Sequence, residues 1–393
     1  MPRLVFIVTS PLTAFALLRG QMAFLARSGF EVVLITGREP ADLVEAVRES
    51  EGVEVVTVPL RREIRPLHDL AALVRLLLLL RRLRPDVVNA GTPKAALLGL
   101  LAARMAGVPH RVYTLRGLRL ETTRGPLRRL LTAAERLTAW SAHRIVCVSE
   151  SLRRRYHELG LGGGRTTVLA SGSSNGIDLE RFDAGCPSPG ELETLRAALG
   201  IDASTPVVGF VGRLTRDKGI ADLVEAFGEV TRALPETRLL LLGEVERGDP
   251  PAPAIARRLE EDPAIVRAGF VEDPRPHYRL IDLLVLPSYR EGFPNAVLEA
   301  AAARVPTVGY EATGTVDAIV PGQTGELVPP GRPRELAGAI LAYLDDPERR
   351  RRHGEAARRR VEREFDSPRL WRAWLAFLRE LVGAPGAPAT RGQ

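Results

Sequence analysis

Short β-branched runs alternate with longer leucine- and alanine-rich amphipathic ones along nearly the whole chain. That alternation constrains the fold more than any other feature. Strand, crossover helix and strand form the unit of a parallel sheet, whose two faces must be covered by helices. In the first half, strands are expected at Leu4–Val8, Glu31–Ile35, Val53–Val58, Asp86–Asn89, Arg111–Thr114, Arg144–Val148 and Thr166–Leu169. Helices are expected between them, near 12–28, 40–50, 67–83, 93–106, 126–140 and 149–158. The second half repeats the scheme, with strands at Val207–Val211, Arg238–Leu242, Ile265–Ala268, Asp282–Leu286, Thr307–Gly309 and Gly325–Val328. Its helices are expected near 217–232, 252–261, 275–281, 294–303, 314–320, 333–344 and 347–365.

The expected fold class is α/β, with two doubly wound, Rossmann-like domains in series. An N-terminal domain over residues 1–180 is followed by a second over 181–365. At the junction stands Ala170-Ser171-Gly172-Ser173-Ser174-Asn175-Gly176, a stretch of turn formers. A helix over 366–382 closes the fold. The Gly/Pro/Ala-rich tail 383–393 is expected to be disordered.

A length of 393 residues suffices for two separate cores. Two cysteines, Cys147 and Cys186, neither build a disulfide framework nor have metal-ligand spacing. A reducing, cytoplasmic setting follows. The longest uncharged run, Leu4–Leu18, is broken by Pro11 and shorter than the roughly 18–20 apolar residues of a membrane span.

Ligands of open α/β sheets sit beyond the carboxyl ends of the strands, so the natural site of two such sheets is a cleft between those edges. Two segments of the second half end strands and carry suggestive chemistry. Val211-Gly212-Arg213-Leu214-Thr215-Arg216-Asp217-Lys218-Gly219 joins a strand to a helix. Arg213 offers a planar fork and Lys218 a compact charge, a pair suited to a diphosphate. A solvated turn would explain the same residues, and the glycine spacing is not that of a Walker loop. The second segment is Pro287-Ser288-Tyr289-Arg290-Glu291-Gly292-Phe293-Pro294-Asn295-Ala296-Val297-Leu298-Glu299-Ala300. Pro294 suits a first helical turn, which leaves the amides of Asn295 to Val297 free for a phosphate. Glu299, just over one turn inside, can accept hydrogen bonds from a vicinal diol. Dipole compensation by Glu291 and a solvated Glu299 is the alternative.

Taken together, the Arg…Lys turn and the Glu-x7-Glu segment resemble glycosyltransferase family 4. These retaining enzymes have the GT-B fold, in which two Rossmann-like domains face each other and a C-terminal helix crosses back to the first. The resemblance spans nearly the whole chain, including Ser173-Ser174-Asn175-Gly176-Ile177-Asp178 and Gly322-Gln323-Thr324-Gly325-Glu326-Leu327-Val328-Pro329-Pro330-Gly331. Thr92-Pro93-Lys94-Ala95, Arg111-Val112-Tyr113-Thr114-Leu115-Arg116-Gly117-Leu118 and Val146-Cys147-Val148-Ser149-Glu150-Ser151-Leu152 resemble the bacterial branch that builds capsule, exopolysaccharide or lipid-linked oligosaccharide.

The resemblance implies a nucleotide-sugar donor, taken here as a UDP-sugar, and a product that keeps the anomeric configuration. Arg213 and Lys218 would hold the diphosphate, Glu299 the ribose and Glu291 the hexose. These four are the catalytic candidates. Gly212, Gly292 and the backbone of Phe293, Asn295, Ala296 and Val297 would complete the donor cradle. Ser10, Lys94, Arg116 and Asn175 are the acceptor-side candidates. Fixed cations can stabilise the charge developing on the leaving diphosphate. No Asp-x-Asp metal motif is present, and neither metal nor other cofactor is expected.

Two positions depart from the family pattern. Thr9-Ser10-Pro11 stands where many members carry Gly-Gly, and Arg116 where many carry a His before Gly117. An arginine cannot act as a base at neutral pH, but it can bind an acceptor phosphate or the donor diphosphate.

Charge is unevenly spread. Residues 1–180 hold 26 basic and 16 acidic residues (+10), and the rest 29 and 32 (−3), which sum to the net +7. Only two cations are lysines, Lys94 and Lys218. The first half clusters arginines (Arg61, Arg62, Arg65; Arg81, Arg82, Arg84; Arg116, Arg119, Arg124, Arg128, Arg129; Arg153, Arg154, Arg155) near leucines at Leu76–Leu80 and Leu118–Leu131. That pattern fits an anionic membrane surface, each cation contributing about 1 kcal/mol there. A lipid-linked polyprenyl diphosphate glycan acceptor and a peripheral location on the inner face of the bacterial plasma membrane follow. With 5% aromatics and no recognised motif, nucleic acid is not an expected partner. Transfer to a soluble acceptor, nucleotide-sugar epimerisation on the same architecture, and a non-catalytic scaffold are the competing readings.

Overall fold

The structure is a computed structural model that describes residues 1–61, 65–246 and 248–383. The tail expectation from residue 384 onward, and Arg62, lie outside the described residues.

The chain divides into two compact units. One comprises Met1–Asn175 together with the segment from Ser367 onward, and the other Gly176–Asp366. The first holds β1 (Arg3–Ile7), β2 (Glu31–Thr36), β3 (Glu54–Thr57), β4 (Val87–Ala90), β5 (His110–Leu115), β6 (Arg144–Cys147) and β7 (Thr166–Val168). They form one parallel sheet in the order β3-β2-β1-β4-β5-β6-β7. The second unit holds β8 (Val207–Val211), β9 (Arg238–Leu242), β10 (Ile265–Gly269), β11 (Leu283–Leu286), β12 (Thr307–Tyr310) and β13 (Gly325–Val328). Its sheet is also parallel, in the order β10-β9-β8-β11-β12-β13. Each sheet is doubly wound, with its order reversing beside the first strand of the unit.

All thirteen expected strands form, and the central ones, such as β4, β11 and β12, are largely apolar runs buried along their whole length, while the edge strands β3, β7 and β10 are only partly buried. Three helical details differ from expectation. The single helix expected over 12–28 is two, Pro11–Leu17 and Gln21–Arg27. Gly20 breaks it at φ 74°, and a Cβ there would lie 2.6 Å from the Trp371 ring. The helix from Pro347 turns to wider π geometry over Val361–Phe365. Leu179–Ala184 and Pro189–Leu199 are helices that the sequence reading left unassigned. The second carries a full capping box, in which Ser188 accepts from the Glu191 amide and Glu191 reaches back to Ser188.

The division falls between Asn175 and Gly176, not after residue 180. Ile177 already belongs to the second unit, where its amide donates to the Phe365 carbonyl at 2.8 Å. In the first unit, Leu370, Trp374, Leu378 and Leu381 of the Ser367–Gly383 helix enter the same core as Phe6, Met22 and Leu25. Their spacing is that of one apolar helix face.

Candidate active site

In the second unit the strand order reverses between β8 and β11. The crevice outside the carboxyl ends at such a reversal is where doubly wound sheets bind ligands. Both charged segments lie there. After β8, Gly212 at φ 152° turns the chain and Lys218 ends a short 3₁₀ turn. Gly219, at φ 70°, lets that turn lie against the loop after β11, since a Cβ would come 2.0 Å from the Pro287 carbonyl oxygen. Asp217 ties the turn down. It accepts from the Thr215 hydroxyl at 2.6 Å and the Arg290 guanidinium at 2.5 Å, and its carbonyl accepts from the Tyr289 amide at 2.9 Å. Burial opposes its ionisation, yet the Thr215 hydroxyl and the Arg290 and Lys218 charges hold its pKa below the usual value.

Lys218 and Glu291, 73 residues apart, form an ion pair with side chains 16% and 11% exposed. The Glu291 amide donates to the Thr313 carbonyl at 2.9 Å, which ties down the loop that carries the carboxylate. Arg213 pairs with Glu246 in a more open setting. The helix after Glu291 runs Asn295–Ala302, with Pro294 as its N-cap rather than in its first turn, and no side chain caps it. The Val297 amide donates to the Pro294 carbonyl at 3.1 Å, so it is not free for a phosphate as expected. Gly292, Asn295 and Ala296 line the same end, and the Asn295 Oδ1 is buried with no partner. The Phe293 ring is committed to packing on Phe365, 5.1 Å between centroids. Glu299 accepts from the Tyr278 hydroxyl at 2.8 Å. Burial pushes its pKa up to about 7, against the Tyr278 hydrogen bond.

In the first unit the reversal lies between β1 and β4. Arg116 follows β5, and its guanidinium covers Gly91, the residue after β4. A Cβ on Gly91 would lie 1.6 Å from the Arg116 Nη1. The Arg116 Nε is buried without a partner. Ser10 precedes the Pro11–Leu17 helix, whose amides its side chain does not cap. Two acceptor-side candidates have other employment. Lys94 pairs with Asp69 at 2.8 Å, so its cation at a helix start already has an internal partner. Asn175 donates to the Arg19 carbonyl at 2.8 Å and accepts from the Trp371 indole at 2.7 Å, and its own carbonyl takes the Ser367 hydroxyl at 2.8 Å. Its amide is a structural tie for the C-terminal helix.

The model of the "glycosyl transferase 4-like domain" matches residues 17–172, and that of "glycosyl transferases group 1" matches 192–360. The capsular polysaccharide biosynthesis glycosyltransferase CapM of Staphylococcus aureus is 33% identical over 374 residues, 93% of this chain and 95% of CapM. The chain belongs to glycosyltransferase family 4. A second family relative, the D-inositol 3-phosphate glycosyltransferase of Corynebacterium glutamicum, is 27% identical over 85% of this chain and 83% of its own. Anabaena Alr3699/HepE, solved in complex with UDP-glucose, matches with a TM-score of 0.77 at 21% identity, over 96% of this chain and 99% of that one. That likeness gives the GT-B fold.

In this glycosyltransferase, sequence reasoning missed the supports of the site. Asp217 and Arg290 lock the lysine turn to the β11 loop. Asp222 accepts from both the Tyr289 and Tyr310 hydroxyls, at 2.5 and 2.8 Å. Only the acid three residues after Gly219 hinted at the second, and nothing in the sequence paired residues so far apart. Among the described residues, no three His, Cys, Asp or Glu side chains group as metal ligands would.

Proposed function

We propose that this glycosyltransferase moves a hexose-type sugar, with retention, from a UDP-sugar to a lipid-linked glycan whose carrier is a polyprenyl diphosphate. One observation carries the donor half. Lys218 and Glu291 meet at the strand-order reversal, beside a helix start and a buried Glu299. On donor binding the Lys218 ammonium and Arg213 guanidinium take the diphosphate, with the Asn295 and Ala296 amides. Glu291 accepts from the hexose hydroxyls and Glu299 from the ribose diol. HepE, which binds UDP-glucose, supports the choice of nucleotide.

As the anomeric C–O bond breaks, its electron pair passes to the β-phosphate oxygen. The two cations and the helix start stabilise that developing charge without a metal. The acceptor oxygen bonds to the anomeric carbon on the same face, and its proton passes to the departing phosphate oxygen. Lys218→Ala or Glu299→Ala should lower turnover by at least about 100-fold with an unchanged far-UV circular dichroism spectrum. Near-wild-type turnover in both would end the donor assignment.

The acceptor half rests on the first unit and on CapM, whose name places it in capsular polysaccharide biosynthesis. The Pro66–Leu83 helix turns Leu67, Leu70, Val74 and Leu78 to the surface, with Leu67 82% and Leu78 59% exposed. The Gly125–Ser141 helix exposes Leu127, Leu130, Leu137 and Trp140. Leu76, Leu80, Leu118 and Leu120, expected to share a surface with the arginines, are buried instead. The exposed stripe nevertheless runs beside exposed Arg75, Arg81, Arg82, Arg128, Arg129 and Arg136. Apolar and cationic groups on one helix face suit an anionic bilayer, and we place the enzyme peripherally on the inner face of the plasma membrane. Among the described residues no helix is long and apolar enough to cross a membrane. The D-inositol 3-phosphate relative favours a second reading, transfer to a soluble acceptor. Activity on soluble acceptors in detergent-free buffer, with none on lipid-linked ones, would select it.

A further inference from the structure

Among the described residues two arginines, Arg111 and Arg358, are buried, and they show what a structural buried arginine needs. Arg111, on β5, gives its Nε to the Ser141 carbonyl at 2.7 Å, one Nη to the Val108 carbonyl at 2.6 Å and the other to the His143 ring. Arg358 is held by Asp183, Glu362 and the Ala302 carbonyl. Arg116, five residues beyond Arg111, has no such set. Its Nε is buried without a hydrogen bond, and among the described residues no carboxylate pairs with it. Arg116 is partly exposed, and a cation whose inner nitrogen is buried with no partner still weakens the chain that carries it. Gly91 is the complementary half of the arrangement, because any side chain there would displace the guanidinium. The 13-residue Pro93–Met105 helix starts just after Gly91, with no acidic residue in its first turn. Its N-cap, Thr92, turns its hydroxyl to Thr9 at 2.6 Å instead of capping the helix. All of these groups stand at the carboxyl ends of β1, β4 and β5, where the strand order reverses.

We propose that Arg116 is an acceptor-binding residue whose guanidinium receives a phosphate group of the acceptor substrate. The proposal rests on the lipid-diphosphate reading above. The second unit supplies its own cations for the donor, and a planar fork facing a helix start is matched to phosphate oxygens.

Calorimetric titration of inorganic pyrophosphate into protein saturated with UDP, and of UDP alone, tests this. In Arg116→Gln, the pyrophosphate Kd should rise at least about 10-fold while the UDP Kd stays within about twofold. Arg116→Lys, which keeps charge and loses the fork, should fall between. The unliganded Arg116→Gln protein should also melt roughly 2–4 °C higher, since an uncompensated charge has been removed. An unchanged pyrophosphate Kd overturns the proposal. A weakened UDP Kd gives Arg116 to the donor instead and also overturns it, as does a lower melting temperature, which marks a structural cation. Should wild-type protein fail to bind UDP, the donor reading fails, and the same variants titrated with pyrophosphate alone still decide the role of Arg116.

Discussion

A carboxyl group accepts hydrogen bonds from a diol best when ionised, and Glu299 resists ionisation. Its pKa stands at about 7 because burial outweighs the Tyr278 hydrogen bond. The folded protein therefore binds more protons than the unfolded chain between the ordinary value of 4.5 and about 7. Stability contributed by this group is present below that window and is lost as pH rises through it. Donor binding should run the other way. The donor KM should rise as pH falls below about 7, and Glu299→Gln should flatten that dependence while raising KM throughout. A pH series of initial rates checks both. The residue types of this site were legible in the sequence, because Arg213, Lys218, Glu291 and Glu299 sit at fixed offsets from strand ends. Their mutual contacts were not. Glu291 read as dipole compensation or a hexose contact, and its pairing with Lys218 depends on the separation of β8 and β11 in the sheet. The partners of Lys94 and Asn175 were hidden for the same reason, since Asp69 and Trp371 approach them only through tertiary packing.

At the scale of elements, two small groups position large pieces. Gly219 allows the lysine turn to touch the β11 loop, and a methyl group there would strike the Pro287 carbonyl at a φ unfavourable to alanine. Gly219→Ala should separate the turn from Glu291 and lower turnover by roughly tenfold or more, with stability down by about 1–3 kcal/mol. Turnover measured beside a denaturant melt checks it. Asn175 ties the Ser367–Gly383 helix to the first unit, so Asn175→Ala strands the Trp371 indole and the Arg19 carbonyl. A loss of about 2 kcal/mol is expected in denaturant unfolding. Elements themselves were the most legible level, since the period of the apolar pattern selects helix or strand directly. The exceptions mark where other forces act. Trp371, 351 residues away, occupies the place beside Gly20 that an unbroken helix would need. The Pro189–Leu199 helix has its Ser-Pro-Gly-Glu capping signal in plain view, but its buried face is too weak to announce a period.

At the scale of the whole molecule, the basic first half of the sequence forms most of the unit proposed to face acceptor and membrane, and the slightly acidic remainder most of the unit proposed to hold the donor. The exposed apolar stripe of the first unit gives a test of that division. Leu70→Glu with Leu78→Glu should abolish cosedimentation with anionic phospholipid vesicles and leave UDP binding unaltered. Unchanged sedimentation would remove the membrane from the account. The central claim is that Lys218 at the β8–β11 reversal belongs to a nucleotide diphosphate site. Calorimetric titration of UDP into wild-type protein and Lys218→Ala tests it most directly. Saturable binding by the wild type, weakened roughly 30- to 100-fold in a variant of unchanged circular dichroism, is the expected result. Equal affinity in the two proteins would contradict it.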